Sequence, residues 1–572
     1  MHSNQKHGLA TALILSLCGT VAQAQATPDA GALQRQIEQG LPGAPTPAPQ
    51  SAVKVPRALT PAAAGASTVG VSRFAFEGNT HLSTEQLVAI VAPFQGAQYD
   101  MNQLRQIADI VADAYREAGW LVRVSLPRQE IKDGVVKLQI TEATFGKVVV
   151  QGSQTRVDLG MLQAMVAAAQ APGEVVQTQR IDRALLLLDD IPGLNVAGNF
   201  TEGEQPGQTN LLLGVADRAS VAGDVSLDNN GSRSTGAERV MANLRVNSPL
   251  GLGDLLQLTV LKTQGSDFER LGWTLPVGYD GFRAGVHTSR LGYKLVGDFA
   301  SLDSKGSAYA TGLDLSYPWL RSQSSNVNLS ASFDDKRFDN KANGASASHY
   351  GLQVWNLGVN ASQMDTWQGG GSSNFSAVLS QGSVNLNGSA NQATDASGPA
   401  TAGSFSKIRV GLSRLQTISS DLSAYVALNV QRAGKNLDSS ERLYLGGPSG
   451  VRAYPTSEGG GSEGEVFTAE LRQQLAGDLT LTGFYDLGHV KAYKNNAYAD
   501  GSGSLNSGSG PSDFSLKGYG LSLAWNATAG TELRATVARR IGTNPLANAS
   551  TSADSDGTLK QTRLWLNATF SF

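Results

Sequence analysis

The second half of the chain alternates apolar and polar residues, which is the pattern of β-strands with one apolar face. The last strand is the clearest case, and its apolar positions are Leu564, Leu566, Ala568, Phe570 and Phe572. The intervening positions are polar apart from one exception, Trp565. Opposed apolar and polar faces are typical of a barrel wall between lipid and water, although a soluble sandwich alternates in the same way.

The lengths of the connections favour the barrel. Seven short turns join strands into hairpins, at 247–253, 277–281, 321–326, 366–373, 417–421, 475–478 and 527–530. Mostly longer connections rich in Ser, Gly and Asn lie between the hairpins, including 386–403, 433–463, 492–513 and 543–559. With a strand at each end, over 219–227 and 562–572, the hairpins make sixteen antiparallel strands. Strict short and long alternation with an even strand number predicts an outer-membrane barrel, with Arg452 in its sixth outer loop.

Residues 71–216 show helical periodicity and repeat one order of elements. The first repeat has a strand, two helices and two strands, over 71–79, 83–91, 102–118, 120–126 and 135–142. The second repeat follows the same order, over 146–152, 159–169, 178–189, 194–200 and 209–216. Each repeat is long enough for a small core. The repeat favours two tandem α+β domains, 71–144 and 145–216, over one larger α+β domain.

The chain begins with a segment that predicts export. Residues 1–26 carry Lys6, an apolar run over 9–21 and two Ala-x-Ala sites at the end, as a cleaved signal peptide does. The apolar run is too short to span a bilayer comfortably, since that takes about 20 residues. Leu17 precedes Cys18, and this large side chain argues against a lipidated cysteine.

Residues 27–70 are rich in Ala and Pro, which predicts a linker. One stretch, 29–39, has good helix formers and is followed by Gly40, a residue that often ends helices. Its only large apolar side chains are Leu33 and Ile37, four positions apart. The helix is therefore either a frayed terminal helix or a polar rod that fits a hydrated lumen.

Composition narrows the classes of function. The 572 residues have a formal net charge of −3, so the chain shows no basic footprint for nucleic acid. Cys18 is the only cysteine, and its loss with the signal peptide leaves no disulfide or thiolate metal site. Nucleophile-elbow, Walker A and His-Glu-x-x-His motifs are absent, and the six histidines are scattered. We expect a protein that is not an enzyme, with no catalytic residue, metal or cofactor.

Two short motifs carry the candidate chemistry. The glycine-rich segment Leu445–Tyr454 contains a lone cation, Arg452, and the segment Phe-Tyr-Asp-Leu-Gly contains a lone carboxylate, Asp486. Phe484, Asp486 and Gly488 share the lumen face of their predicted strand. An infolded loop would bring Arg452 to Asp486 as a charge-assisted pair, and Gly488 would leave room for the loop. The alternative is an exposed loop arginine and an ordinary lumen carboxylate.

The architecture and the two motifs resemble the outer-membrane translocators of two-partner secretion (TpsB type), within a superfamily that includes the barrel-assembly insertase. The sixth-loop motif of that family is Val-Arg-Gly-Tyr, and its counterpart here is Val451, Arg452, Ala453 and Tyr454. The strand motif Phe-x-Asp-x-Gly corresponds to Phe484, Asp486 and Gly488. The resemblance implies a transmembrane β-barrel of sixteen antiparallel strands over 217–572, preceded by two periplasmic POTRA domains and an N-terminal plug helix.

The resemblance also implies a function. Such a protein captures an unfolded exported partner in the periplasm and passes it through its barrel to the cell surface. The implied partner is a large secreted exoprotein of the TpsA type, expected to be β-helical. Further expected partners are periplasmic chaperones, outer-membrane lipid and the barrel-assembly machinery. That machinery would read Phe570 and Phe572 as a C-terminal signal, although a lipid-facing aromatic girdle would have the same residues.

Two other functions fit parts of the sequence. A barrel assembly or insertion factor would usually carry more than two POTRA domains. A passive porin would need neither the tandem repeat nor the loop motif.

Overall fold

A computed structural model describes residues 28–40, 67–152, 155–497, 511–548 and 550–572. The predicted signal peptide and most of the predicted linker lie outside these ranges. The described chain begins with helix α1, Ala30–Gly40, so Gly40 is the last helical residue and not the residue after it. Across the described ranges, no helix is both long and apolar enough to cross a membrane.

The first N-terminal unit, residues 67–143, packs helices against a three-stranded sheet. Its elements are β1 Val69–Val71, β2 Arg73–Glu77, α2 Thr84–Val91, β3 Ala97–Tyr99, α3 Met101–Glu117, β4 Val122–Ser125 and β5 Val135–Glu142. Capping boxes at Ser83 and Asp100 start the two helices. In the sheet, β2 lies parallel and β4 antiparallel to β5.

The predicted strand over 71–79 is wrong in one respect, because the structure divides it at Ser72. The segment before Ser72 pairs with β3, whereas the segment after it pairs with β5. The backbone N–H groups of Ser72 and Arg73 both donate to the carbonyl oxygen of Gly134, at 2.7 and 3.3 Å. The chain bends here because its two halves belong to different sheets.

A buried carboxylate fastens the connection between β2 and α2 to the sheet of the first unit. Glu142, at the end of β5, accepts hydrogen bonds from the backbone N–H groups of Thr80 at 2.7 Å and His81 at 2.9 Å. The Tyr115 hydroxyl donates to the same carboxylate at 3.2 Å. Burial alone would raise the pKa of Glu142, but the bonds from Thr80 and His81 outweigh it and lower this pKa to about 2. The carboxylate therefore stays charged at neutral pH.

The second N-terminal unit, residues 144–217, repeats the topology of the first. Its elements are β6 Thr144–Gln151, α4 Leu159–Ala169, α5 Thr178–Asp189, β7 Leu194–Glu202 and β8 Gln208–Asp217. Here β6 lies parallel and β7 antiparallel to β8, as β2 and β4 do to β5. Each unit has a separate apolar core. The predicted tandem α+β architecture is confirmed.

Sixteen antiparallel strands then close into a barrel, as the alternation predicts. The first eight are β9 Val221–Asp228, β10 Arg239–Asn247, β11 Leu255–Lys262, β12 Ser266–Pro276, β13 Arg283–Lys294, β14 Ser304–Arg321, β15 Ser325–Ala342 and β16 Ala345–Asp365. Then come β17 Gly371–Asn385, helix α6 Gln392–Ser397, β18 Gly403–Thr417 and β19 Leu422–Ala433. Two short strands, β20 Leu443–Tyr444 and β21 Gly460–Gly461, pair within the sixth outer loop. The last barrel strands are β22 Glu463–Gln474, β23 Leu479–Lys491, β24 Asp513–Thr528, β25 Thr531–Arg540 and β26 Thr562–Ser571.

The barrel closes where β26 pairs with β9, from Asn567–Asp228 to Ser571–Asp224. Beyond Asp228, the backbone N–H of Asn229 donates to the Leu566 carbonyl oxygen at 3.3 Å, and the Asn229 side chain continues the ladder. Its Oδ1 accepts from the Leu566 N–H at 2.8 Å, and its Nδ2 donates to the Leu564 carbonyl oxygen at 3.0 Å. The polar carboxamide thus satisfies two backbone groups of β26 where β9 has ended.

The seven predicted short turns join consecutive barrel strands, but the strict alternation of short and long connections is wrong. Two connections at the opposite end are also tight, over 263–265 and 343–344. Asn343 and Gly344 have φ angles of 50° and 79°, which suits a two-residue hairpin of the Asn-Gly kind. At 263–265, the Thr263 hydroxyl accepts from the N–H groups of Gly265 and Ser266 and holds the turn closed.

The second N-terminal unit is fixed to the short-turn end of the barrel. Arg321, at the end of β14, donates to both carboxylate oxygens of Asp190, at 2.8 and 3.0 Å. Arg183 of α5 pairs with Asp280 and donates to the carbonyl oxygen of Pro318 at 3.0 Å. The tandem units therefore lie at the end of the barrel that carries the short turns.

Candidate functional site

The sixth outer loop, residues 434–462 between β19 and β22 and named loop 6 here, folds into the barrel. Four of its buried apolar side chains are those of Leu445, Val451, Ala453 and Tyr454. They share an apolar cluster with the wall residues Val466, Phe484, Val490, Phe514, Leu516 and Ala538. Burial of this apolar face drives the loop against the lumen side of β22 to β25.

Arg452 of loop 6 lies against Asp486 of β23. Its Nε and Nη2 atoms donate to the two carboxylate oxygens at 2.8 and 2.7 Å, and its backbone N–H donates to Asp486 Oδ2 at 3.1 Å. The Asp486 side chain is completely buried and the Arg452 side chain is 13% exposed. A parallel two-point bond of this kind fixes the orientation of the guanidinium as well as its position.

Two further wall groups, Phe484 and Glu470, contact the arginine of this pair. The guanidinium carbon of Arg452 lies 3.5 Å from the centre of the Phe484 ring, within cation–π range. Arg452 Nη1 also donates to Glu470 of β22 at 2.9 Å, and Glu470 accepts from Arg472 at 2.7 Å through its other oxygen. Two arginines and two carboxylates therefore balance in charge, which lowers the cost of burying them.

Glycines on the wall make room for the loop. A Cβ atom at Gly488 would lie 2.9 Å from the Val451 side chain and 3.0 Å from that of Leu445. A Cβ atom at Gly518 of β24 would lie 2.5 Å from the Ala453 Cβ. The extra methyl group of Ala453, where the resembling family has glycine, thus fits a gap left by a wall glycine. Ala453 is also outside the left-handed region, so its backbone does not require glycine.

The end of loop 6 is held by its neighbours. Tyr454 is fully buried, with the guanidinium of Arg540 5.3 Å from its ring centre. Glu458, which is also buried, accepts from Asn544 at 2.8 Å and from the Ser555 N–H at 3.0 Å, both in the last outer connection. Loop 6 therefore contacts the wall and another outer loop.

Helix α1 lies inside the same barrel and contacts loop 6. Leu33 and Ile37 belong to an apolar cluster with lumen residues of the wall, including Tyr293, Phe338 and Leu352. The helix start is held by the Asn340 side chain, which accepts from the Ala30 N–H at 2.8 Å.

The polar side of α1 faces loop 6 and a lysine of the wall. The Ser439 hydroxyl of loop 6 donates to Asp29 at 2.8 Å. Lys336 of β15 lies 3.6 Å from Glu38 of α1 and 3.5 Å from Glu441 of loop 6. The sequence allowed either a frayed terminal helix or a polar rod inside a lumen, and the structure fits the second.

Some contacts of the site were not predicted from the sequence. Glu470 and Thr468 lie on β22, and Thr468 donates to Asp486 at 3.1 Å. Trp565 of β26 donates from its indole Nε1 to the carbonyl oxygen of Arg452 at 2.8 Å. Trp565 was visible in the sequence only as the exception on the polar face of the last strand.

The predicted assembly residues lie far from this site. Phe570 and Phe572 are exposed on the outer side of β26, and the backbone of Phe572 pairs with that of Gly223. This position fits both sequence interpretations, a C-terminal signal and an aromatic girdle.

Comparison with known families gives two matches along the chain. Residues 69–143 match the POTRA domain of the ShlB type. Residues 207–510, more than half of the chain, match the haemolysin secretion/activation protein family ShlB/FhaC/HecB.

Two transporter proteins and one solved structure are similar to this chain over most of its length. The heme/hemopexin transporter protein HuxB of Haemophilus influenzae (strain 86-028NP) is 26% identical over 73% of this chain and 75% of its own. The outer membrane transporter CdiB of Dickeya dadantii (strain 3937) is 24% identical over 74% of this chain and 76% of its own. The solved structure of CdiB from Escherichia coli aligns with a TM-score of 0.66 at 18% identity, covering 90% of this chain and 93% of that one.

The matched domains follow the order of the fold, with a periplasmic POTRA region before an outer-membrane barrel. The chain therefore belongs to the haemolysin secretion/activation protein family ShlB/FhaC/HecB, the outer-membrane transporters of two-partner secretion.

Proposed function

We propose that this transporter captures an unfolded exoprotein at its periplasmic units and passes it through the barrel lumen, past a loop 6 that Arg452 holds to the wall. Family members act with secreted exoproteins of the TpsA type. The observation that supports the role of loop 6 is the buried bond between Arg452 and Asp486. Neither the assembly-factor function nor the passive-porin function gains support from the family match.

The proposed division of the chain follows these roles. It comprises a signal peptide, a plug helix with its linker, two POTRA domains and the barrel, over 1–26, 27–70, 71–144, 145–216 and 217–572. Periplasmic chaperones would keep the exoprotein unfolded before capture. The barrel-assembly machinery would insert the chain, with Phe570 and Phe572 as its signal, and lipid would cover the apolar outer face.

Capture is assigned to the periplasmic units because their sheets have edges that no other described strand pairs with. In the first unit β2 is an edge strand of the order β2–β5–β4, and in the second β7 is an edge strand of β6–β8–β7. An extended client can add a strand to such an edge through backbone hydrogen bonds, which depend little on the side chains of the client. This mode suits an unfolded partner.

Deletion of residues 71–144 should abolish secretion while the barrel still inserts, because the barrel strands have their own closed hydrogen-bonding pattern. The client is identified as the surface or culture-fluid protein that disappears when this chain is absent. Its appearance outside the cell is measured by immunoblot, and heat-modifiable migration on gels reports barrel assembly. Normal secretion by the deletion variant would refute the assignment of capture to this unit.

Deletion of residues 29–40 should raise ion conductance in planar bilayers, because helix α1 occupies the lumen. Secretion should continue, since a client needs the space that the helix vacates. Leu33→Asp with Ile37→Asp should have the same effect, because both side chains lie against the apolar wall. Gly40→Ser is the matched control, since Gly40 is exposed and an added Cβ atom would have no described residue within 4 Å. Equal conductance of the unmodified protein, the deletion variant, the double-aspartate variant and the Gly40→Ser control would contradict the plug assignment.

Arg452→Ala should leave the barrel assembled but impair secretion, because loop 6 loses its bonds to the wall. Breaking a fully buried pair costs about 3–5 kcal/mol, and water in the lumen reduces that cost. Even about 1.4 kcal/mol corresponds to a tenfold change, so secretion should fall at least about tenfold. Secretion is compared at equal amounts of heat-modifiable barrel.

Two variants control for this effect. Arg452→Lys should secrete at an intermediate level, because an ammonium group keeps the charge but cannot form the parallel two-point bond. Arg534→Ala should secrete normally, because Arg534 pairs with Glu532 in a more exposed part of the wall. Normal secretion by Arg452→Ala would show that the anchor is not needed for transport.

A further inference from the structure

Trp565 differs in position from the exposed tryptophans of the barrel strands. It lies on the lumen side of β26, where its neighbours along the strand face are Arg563 and Asn567, and it is only 8% exposed. Its Nε1 donates to the carbonyl oxygen of Arg452 at 2.8 Å. By contrast, Trp355 of β16 and Trp525 of β24 are exposed and face outward.

The backbone around Arg452 is therefore held from two directions. Its N–H group donates to Asp486 on β23, and its carbonyl oxygen accepts from Trp565 on β26. Strands β24 and β25 lie between these two anchors. With both flanking peptide groups fixed, the Arg452 side chain has little freedom to leave the carboxylate.

The two intervening strands, β24 and β25, carry small residues where loop 6 passes over them. Gly518 and Gly520 of β24 lack side chains on the lumen face, and Ala538 of β25 is small and completely buried. A Cβ atom at Gly518 would lie 2.5 Å from the Ala453 Cβ of loop 6, and one at Gly520 would lie 2.6 Å from the Phe484 ring, which packs against Arg452. The small residues thus explain how one tryptophan reaches a loop that is bound three strands away.

We propose that Trp565 is a positioning residue of the transport motif, whose indole N–H holds the backbone of Arg452 and so aims its guanidinium at Asp486. Only its consequence for secretion rests on the proposed function. The hydrogen bond also links loop 6 to the strand that closes the barrel against β9. The competing explanation is that Trp565 only packs at this closure and has no particular effect on the loop.

Two buried serines allow the explanations to be separated. The hydroxyl groups of Ser457 in loop 6 and Ser226 on β9 are buried and lack hydrogen-bond partners among the described residues. A cysteine at either position therefore removes no hydrogen bond, and its thiol is protected while its surroundings stay closed. Ser457→Cys reports on loop 6 and is named the loop reporter. Ser226→Cys reports on the closure of β9 and β26 and is named the closure reporter.

The experiment measures labelling of each reporter thiol by a membrane-impermeant maleimide in the full chain, reconstituted in liposomes. Trp565→Phe, which keeps an aromatic ring but removes the N–H, is compared with Trp525→Phe, a change on the outer face of β24. Loss of one neutral hydrogen bond should speed labelling of the loop reporter about 2- to 10-fold. Labelling of the closure reporter and the unfolding temperature of the barrel should not change, and Trp525→Phe should alter the labelling of neither reporter.

A second variant covers the case in which Trp565→Phe fails to assemble. Benzothienylalanine at position 565 has nearly the shape of tryptophan with sulfur in place of the N–H, and it should give the same faster labelling of the loop reporter. Unchanged labelling of the loop reporter would overturn the proposal. An equal increase at both reporters would do so as well, because it would show a general loosening of the barrel closure. Neither readout uses a client, so failure here is distinct from failure of the proposed function.

Discussion

A largely buried arginine inside a membrane barrel is the constraint around which the rest of the site is arranged. Arg452 of loop 6 cannot lie against the lumen wall without compensation for its charge, and Asp486 and Glu470 supply that compensation. The requirement explains the neighbouring residues: Phe484 stacks on the guanidinium, while Gly488 and Gly518 make space for the loop. Loop 6 can thus lie inside the barrel without occupying the whole lumen.

The lumen contains two elements that differ in how they are held. Loop 6 is covalently connected to the wall at both ends and has buried charged and apolar contacts. Helix α1 precedes the predicted Ala- and Pro-rich linker, and it contacts the wall and loop 6 through a narrow apolar face and a few polar bonds. The helix is therefore the element whose departure disturbs the barrel least. The loop is better suited to stay in place while a client passes.

The sequence predicts the fold because alternation and turn spacing are local signals. Both the sixteen strands and the repeated α+β units can be read from it, and the resemblance of two motifs identifies the residues at positions 452 and 486. Contacts across strands are harder to predict, since they depend on register. The contacts of Glu470 and Trp565 with Arg452 follow from the order and register of the barrel strands, which no local sequence pattern specifies. The tight connection at Asn343-Gly344 is different, because Asn-Gly is itself a strong local signal for a two-residue hairpin turn.

The central claim is that Arg452 and Asp486 act as one unit in transport. A double-mutant cycle in secretion, with Arg452→Ala, Asp486→Ala and the double variant, tests this most directly. If the residues act together, the double variant should secrete about as well as either single variant, because the first change already breaks the bond. If the double variant's defect, expressed as a free energy, equals the sum of the two single defects, the residues act independently and the account is wrong.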